Sequence, residues 1–158
     1  MPRRMLRPAA FLGAAFAAIA LLSGCATTVS MDAAPEADSP DCAAVTVRLP
    51  AAVDGQSRVW TDAQATGAWG APTTVLLTCG LEPSGPSTLP CETVDGIDWL
   101  IDDTEAPRYR FTTFGRTPAV EVYLDYDVVS ARSVLGALSS AVRMLPTTGS
   151  ECTDRPTA

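Results

Sequence analysis

The amino-acid sequence predicts an α+β domain in which a small antiparallel sheet of about four strands packs with a C-terminal helix. Three observations predict this class. Apolar and polar residues alternate on both sides of a turn near residue 116, and apolar residues recur at helical spacing between residues 130 and 145. Four cysteines spread over residues 42–152 are enough for two disulfides.

The best-defined element is a β-hairpin over residues 108–126. Pairing Phe111 with Val122 places apolar side chains on one face, and the same register pairs Arg108 with Asp125 on the other face. A shift of one residue would move the apolar set to the opposite face, so the sequence specifies this register well.

Three further elements complete the predicted domain. The apolar run at residues 73–78 is typical of a buried central strand, and residues 94–101 alternate as another strand. Ser130 is a good N-cap for the final helix, which Pro146 ends. We expect this helix to lie across the apolar face of the sheet, giving two layers.

The segment at residues 42–53 is ambiguous between helix and strand. The spacing of its apolar residues favours a helix that begins after Asp41, whereas its β-branched residues also suit a strand. Residues 54–72 are expected to form a loop, with Trp60 and Trp69 packed against the core.

The N-terminus carries the features of an export signal. Three arginines precede an apolar stretch at residues 9–22, which is too short for a membrane-spanning helix. Leu22-Ser23-Gly24-Cys25 follows directly and resembles the lipobox of bacterial lipoproteins. The resemblance implies cleavage before Cys25 and a diacylglyceryl group on its sulfur. That lipid would anchor the protein to the outer face of the cytoplasmic membrane.

The sequence therefore divides into a signal peptide at 1–24, a lipidated cysteine with a flexible tether at 25–41, a globular domain at 42–152 and a tail at 153–158. The net charge of −7 becomes three units more negative once the leader is removed. An acidic surface repels nucleic acid and anionic headgroups, so we expect no nucleic-acid partner and a domain that stands off the membrane.

The remaining four cysteines predict disulfides, because even numbers of cysteines in exported proteins commonly pair. Three pairings are open, and we favour Cys79–Cys91, around a turn-rich loop, with Cys42–Cys152, between the ends of the domain. The sequence has no CxxC, so no metal site and no cofactor are expected.

The sequence also lacks histidine and lysine. Their absence excludes Ser-His-Asp and Cys-His arrangements, Ser-Lys dyads and Schiff-base chemistry within one chain. We therefore expect a protein that is not an enzyme.

Several stretches, taken together, resemble one protein family. They are WGAP at 69–72, LTCGL at 77–81, CETVDGIDW at 91–99, TFGRTPAVEV at 113–122 and the closing helix. The set resembles an actinobacterial lipoprotein family known as domain of unknown function 3515. The resemblance covers roughly residues 42–152. It implies a lipid-anchored extracytoplasmic domain and supplies neither an activity nor a catalytic residue.

Four residues are candidates for ligand binding, each with a structural alternative. Trp69 and Trp99, next to glycines, could form a groove for sugar or peptide, but core packing is the favoured interpretation. Arg116 at the hairpin tip could bind a carboxylate or phosphate, or hold carbonyl groups of the turn. Asp98 belongs to an acidic group that could bind calcium, although a solvated strand end is favoured; the group is Asp95, Asp98, Asp102, Asp103 and Glu105.

These observations favour a non-enzymatic binding or assembly module of the cell envelope. The expected partners are the membrane, through the diacylglycerol on Cys25, and an envelope protein or wall component. The alternative is a lipoprotein that binds a small ligand or a cation. A hydrolase that depends on paired carboxylates ranks third.

Overall fold

The sheet is organised around the hairpin that the sequence specifies best. A computed structural model describes residues 28–153, in which nine strands form a mixed sheet and two helices pack on it. The path of the sheet is β1-β3-β4-β5-β9-β8-β7-β6, and β2 pairs with β3 beside it. The elements are β1 (Thr28–Val29), α1 (Pro40–Thr46), β2 (Ala52–Val53), β3 (Gln56–Thr61), β4 (Thr66–Trp69), β5 (Val75–Leu81), β6 (Cys91–Val94), β7 (Ile97–Asp102), β8 (Arg108–Phe114), β9 (Ala119–Asp125) and α2 (Ala131–Val142).

The prediction of a small four-stranded antiparallel sheet is wrong. The sheet has nine strands, and it is mixed because β1 runs parallel to β3. The predicted signal peptide at 1–24, the predicted lipidation site Cys25 and residues 154–158 lie outside the described residues. Within residues 28–153, neither helix has the length and hydropathy needed to cross a membrane.

The hairpin register is confirmed residue by residue. Strand β8 pairs with β9 so that Phe111 lies opposite Val122 and Arg108 lies opposite Asp125. The predicted buried strand is β5, which lies between β4 and β9, and the alternating stretch near residue 97 is β7. The final helix is also confirmed: the Ser130 side chain accepts a hydrogen bond from the Ser133 N–H and caps α2.

Two strands that the sequence does not predict, β3 and β4, lie within residues 54–72, the stretch predicted as a loop. Strand β3 is exposed or half-buried along its whole length, and therefore lacks the alternation that indicates a half-buried strand. Strand β4 contains Gly67 and Ala68, which have low strand propensity. Trp69 is buried as expected, but Trp60 is 75% exposed and does not pack into the core. The helix prediction for residues 42–53 holds only for the first part, because α1 ends at Thr46 and β2 follows.

The described part of the predicted tether is packed against the domain. Thr28 and Val29 pair with β3, and Ala37 is buried in the core. The Glu36 N–H donates to the Gly80 carbonyl over 2.9 Å. A side chain at position 80 would overlap the Ala37 backbone, so this close passage requires glycine. Residues 28–41 thus differ from the flexible tether that composition predicts.

Both helices cover one face of the sheet, which we call the inner face. It carries the apolar residues of β5, β8 and β9, and α2 contributes a buried stripe at helical spacing. This core contains Val75, Leu77, Phe111, Val120, Val122, Leu124, Val134, Leu138, Ala141 and Val142. The opposite, outer face carries the alternate residues of the same strands.

The chain forms two disulfides, as the cysteine count predicts, but the favoured pairing of Cys79 with Cys91 and of Cys42 with Cys152 is wrong. Cys42 in α1 is bonded to Cys79 in β5, and Cys91 in β6 is bonded to Cys152 near the C-terminus. Strands β5 and β6 are four positions apart in the sheet, which separates them by about 19 Å. A disulfide requires Cα atoms roughly 4.4–6.8 Å apart, so Cys79 cannot reach Cys91.

The Cys42–Cys79 bond should contribute more to stability than the Cys91–Cys152 bond. Cys42 and Cys79 are fully buried and fix α1 on the sheet, whereas Cys152 holds a peripheral tail. We expect C42A/C79A to lower the free energy of unfolding by about 2–4 kcal/mol. Urea denaturation would measure this loss, with C91A/C152A as the matched control. An equal or greater loss in the control would contradict the assignment.

Candidate functional site

An aromatic groove opens on the inner face of the sheet, beyond the beginning of α2. Its volume is about 220 Å³. Strands β6, β7 and β8 form its floor, and α2 and the segment before α2 form its wall. We define the aromatic groove by Glu92, Val94, Ile101, Tyr109, Phe111, Tyr126, Ala131, Arg132 and Leu135.

The aromatic floor follows from the alternation of β8. Tyr109 and Phe111 are two residues apart, so both side chains point to the inner face. Their ring centroids are 6.4 Å apart and the planes are nearly parallel. Tyr126, which follows β9, tilts against Tyr109 with 4.6 Å between centroids. Such aromatic contacts are favourable by roughly 0.5–1.5 kcal/mol beyond their area burial.

The groove stays open because α2 begins too late to cover it. The first helical residue is Ala131, so Val134 and Leu135 are the first large apolar residues that α2 places over the sheet, and of the two only Leu135 lines the groove. Tyr126 consequently remains half exposed, and Val128 beside it is 53% exposed. An ion pair closes one rim, where Arg132 Nη2 lies 2.9 Å from Glu92 Oε1. Both ionic side chains are well exposed, so the pair contributes little to stability.

The dimensions of the groove suit a side chain better than a whole ligand. Pockets for drug-sized molecules occupy about 300–1,000 Å³, which is larger than this groove. Aromatic residues and arginine are enriched at the energetically dominant positions of protein interfaces. An aromatic floor, a tyrosine hydroxyl and a charged rim can therefore receive one apolar side chain of a partner together with its neighbouring polar backbone.

The two tryptophans proposed for a groove lie in the core instead. Trp69 and Trp99 are fully buried, and neither lines the aromatic groove. Trp69 Nε1 donates a hydrogen bond to the Pro50 carbonyl over 3.0 Å. Trp99 Nε1 has no acceptor among the described residues. The structure therefore favours the packing interpretation for both side chains.

Arg116 and Asp98 do meet, in a cleft of about 360 Å³ along the C-terminal segment. Their polar groups are already engaged. Arg116 Nη1 donates to the Leu145 carbonyl over 2.9 Å, and Asp98 accepts from the Cys152 N–H over 2.7 Å and from Thr93 Oγ1. Both residues hold the chain end against β6, β7 and the hairpin turn. A broader cleft of about 890 Å³ adjoins, between residues 86–93 and the same chain end.

The acidic group does not converge on one point. Asp95 lies in the turn between β6 and β7, Asp102 accepts from both the N–H and the hydroxyl of Thr104, and Glu105 binds Arg110. Among the described residues, no set of three or more carboxylates, cysteines or histidines is arranged to hold a metal ion. Geometry therefore gives the calcium interpretation no support within this part of the chain.

Arg110 organises a charged cluster on the outer face. Its guanidinium lies 2.9 Å from Glu105 and 3.1 Å from Glu121, and it stacks on the Tyr123 ring with 4.5 Å to the centroid. The hydrogen bond from Arg110 lowers the pKa of Glu105, and the hydrogen bond from the Tyr123 hydroxyl adds to this effect. A glycosidase-type general acid needs a raised carboxyl pKa, so Glu105 is shifted in the wrong direction for that role.

Comparison with known families assigns the chain to a group without a known activity. Residues 7–149 match the family described as "Protein of unknown function (DUF3515)". The chain belongs to this family. The resemblance predicted from the sequence is therefore confirmed at the level of the family. No curated protein and no solved structure matches the chain significantly.

The sequence pattern did not identify the aromatic groove. It placed Tyr109 and Phe111 on the apolar face of the hairpin, but it assumed that α2 covers that face completely. Tyr126 ends the predicted hairpin but has no partner in its register, because it follows the last paired residue of β9. The available signal was the N-cap at Ser130, which fixes where α2 begins and leaves the start of β8 without a helical partner.

The pKa of Glu105 offers a test of the outer cluster. We expect Arg110→Met to move this pKa back up toward its ordinary value, because its main cause is removed. Since the folded state lowers the pKa, the contact stabilises the fold above the unfolded-state pKa. Its contribution is lost as pH falls through the lowered value.

An NMR titration of the Glu105 side chain would measure the shift. Arg132→Met is the control, because Arg132 pairs with Glu92 and not with Glu105. The assignment fails if the Glu105 pKa is the same in R110M and in the wild type.

Proposed function

We propose that this protein is a lipid-anchored extracytoplasmic lipoprotein whose aromatic groove binds a partner of the cell envelope. The observation that carries the binding part is the aromatic groove itself, in which Tyr126 and Tyr109 stay accessible while their neighbours are buried. The proposed occupant is a protein segment that inserts one apolar side chain. The activity is binding or assembly, without catalysis.

The composition of the groove supports a protein partner. Tyrosine and arginine supply large contact areas and hydrogen bonds at protein interfaces, and both occur here. Tyr126 and Val128 are two of the few large apolar side chains that the described residues leave exposed. Their position next to the groove makes the accessible apolar surface continuous with it, as expected for an interface centre.

The cysteines support an extracytoplasmic location. Disulfides persist in oxidising compartments, and both disulfides of this fold involve cysteines of the globular domain. Cys25 is the fifth cysteine and follows the lipobox-like residues 22–24. A double acyl chain at that sulfur would give stable anchoring, whereas a single chain gives only marginal binding.

Two features of the chain argue against catalysis. The sequence contains no histidine and no lysine, which removes the commonest general bases and amine nucleophiles. The carboxylates of the outer cluster are paired with Arg110, and the pKa of Glu105 is lowered. These groups stabilise the outer face and are poorly suited to proton donation.

The anchoring part of the proposal is tested at Cys25. Expressed with its leader in a bacterial host, the wild-type protein should fractionate with membranes and carry the mass of a diacylglyceryl group on Cys25. We expect Cys25→Ser to abolish that mass. Cys152→Ser is the control, because it removes a disulfide cysteine and should leave lipidation intact. An unmodified Cys25 thiol in the mature wild-type protein would refute the anchoring proposal.

The binding part is tested by photo-crosslinking from the groove. A benzophenone amino acid at position 126 should capture one envelope protein in intact cells, and position 128 should capture the same protein. Position 123 is the control, since Tyr123 lies on the outer face and belongs to the Arg110 cluster. With the captured protein purified, Tyr126→Ala should weaken binding by about tenfold or more. Equal capture from positions 123 and 126 would contradict the proposal.

A further inference from the structure

A second apolar surface lies at the opposite edge of the sheet from the aromatic groove. Val47 is 77% exposed and Trp60 is 75% exposed, the highest values among the large hydrophobic residues that the structure describes. Trp60 is also the only one of the three tryptophans outside the core, since Trp69 and Trp99 are fully buried. Leaving a tryptophan side chain in water is unfavourable in free energy, so the exposure of Trp60 needs an explanation.

The fold brings the segment that follows α1, which begins at Val47, to the strand that carries Trp60. Antiparallel pairing of β3 with β4 places Arg58 opposite Trp69, and the same register places Trp60 beside Gly67. Leu49 lies over Gly67, where an added Cβ would overlap the Leu49 side chain. The end of α1 is held at β3 by a hydrogen bond of 3.5 Å from Arg58 Nη1 to the Leu49 carbonyl. We call the surface formed by Val47, Arg48, Arg58 and Trp60 the β3 edge.

The N-terminal chain enters the described structure at this edge. Thr28 of β1 pairs directly with Trp60. Two residues lie between Cys25 and Thr28, and the three steps from one Cα atom to the other span at most about 11 Å in an extended chain. A lipid on Cys25 therefore keeps the β3 edge close to the membrane surface. This geometry argues against the expectation, based on the acidic charge alone, that the domain stands off the membrane.

We propose that the β3 edge rests in the interfacial region of the bilayer that holds the lipid of Cys25, with Trp60 inserted at headgroup depth. This inference rests on the anchoring proposed above. Tryptophan prefers the membrane–water interface, where its ring lies among headgroups and its N–H stays hydrated. Arg48 and Arg58 each donate one guanidinium N–H to a backbone carbonyl, and their remaining N–H groups and positive charge would serve lipid phosphates.

The acidic side chain that follows β3 is directed into local contacts. Asp62, two residues after Trp60, accepts hydrogen bonds from Ser30 Oγ and the Met31 N–H. These contacts tie β3 to the segment after β1 and lower the pKa of Asp62, so its charge stays satisfied within the protein. The Asp62 carboxylate is therefore turned toward residues 30 and 31.

Contact at the β3 edge would also orient the groove. Strands β3 and β8 are four positions apart in the sheet, a separation of about 19 Å. Tyr109 of the groove thus lies on a strand well separated, along the sheet, from the strand that contacts the membrane.

The experiment uses the lipidated full-length protein, reconstituted in phosphatidylcholine–phosphatidylglycerol vesicles with or without brominated phosphatidylcholine. Bromine quenches tryptophan emission only at short range, so brominated lipid should lower the emission of Trp60. Insertion of the ring among the headgroups should also shift its emission to the blue. Trp60→Phe should lose this quenchable component while the two buried tryptophans remain. The matched control is W60F/V128W, which moves the single exposed tryptophan to position 128, two residues beyond Tyr126 of the groove, and should escape quenching.

Flotation of the same vesicles separates the two proposals. Protein that floats and shows Trp60 quenching well above that of W60F/V128W supports the inference. Protein that floats without such quenching leaves the anchor intact and overturns contact at the β3 edge. Wild-type protein that does not float refutes the anchor and this inference together. Circular dichroism of W60F and W60F/V128W verifies that each variant is folded.

Discussion

The surfaces of this protein depend on one constraint. Its two helices are short, and the sheet that they cover is much wider. Eight strands side by side measure about 34 Å across, from seven strand spacings. Helix α2 has twelve residues and is therefore about 18 Å long, and α1 is shorter still. Helix α1 contacts β5, and α2 contacts β9 and also reaches β2 and β6. They leave apolar side chains partly uncovered toward both edges, as the aromatic groove and the β3 edge.

The N-terminal segment is held at the centre by covalent and backbone contacts. The Cys42–Cys79 bond joins α1 to β5, so a helix of only seven residues can remain on the core. Isolated helices of that length are unstable in water, and the disulfide supplies the constraint that helix propensity lacks. The Glu36–Gly80 contact then guides residues 28–37 past the end of β5. The path to β1 at the edge follows from these two attachments.

Sequence patterns predicted the elements whose two faces differ, and failed for those whose faces do not. The register of β8 with β9 was predictable because one face is apolar and the other pairs Arg108 with Asp125. Strand β3 is exposed along its length, and β4 owes its strand geometry to its neighbours. The disulfide pairing and the groove depend on the strand order and on where α2 starts. No local pattern contains that information, although the identity of the groove residues was available in β8.

Polar contacts on the outer face explain how a strongly acidic chain keeps a defined surface there. Arg110 contacts two carboxylates and a tyrosine ring, which offsets repulsion between Glu105 and Glu121. At the other end of β8, Arg116 and Asp98 hold the terminal segment instead of a ligand. The guanidinium groups of Arg110 and Arg116 are thus engaged in contacts within the protein. The aromatic groove differs because Tyr126 and Tyr109 stack on one another and leave ring surface accessible, so recognition there relies on apolar contact and shape.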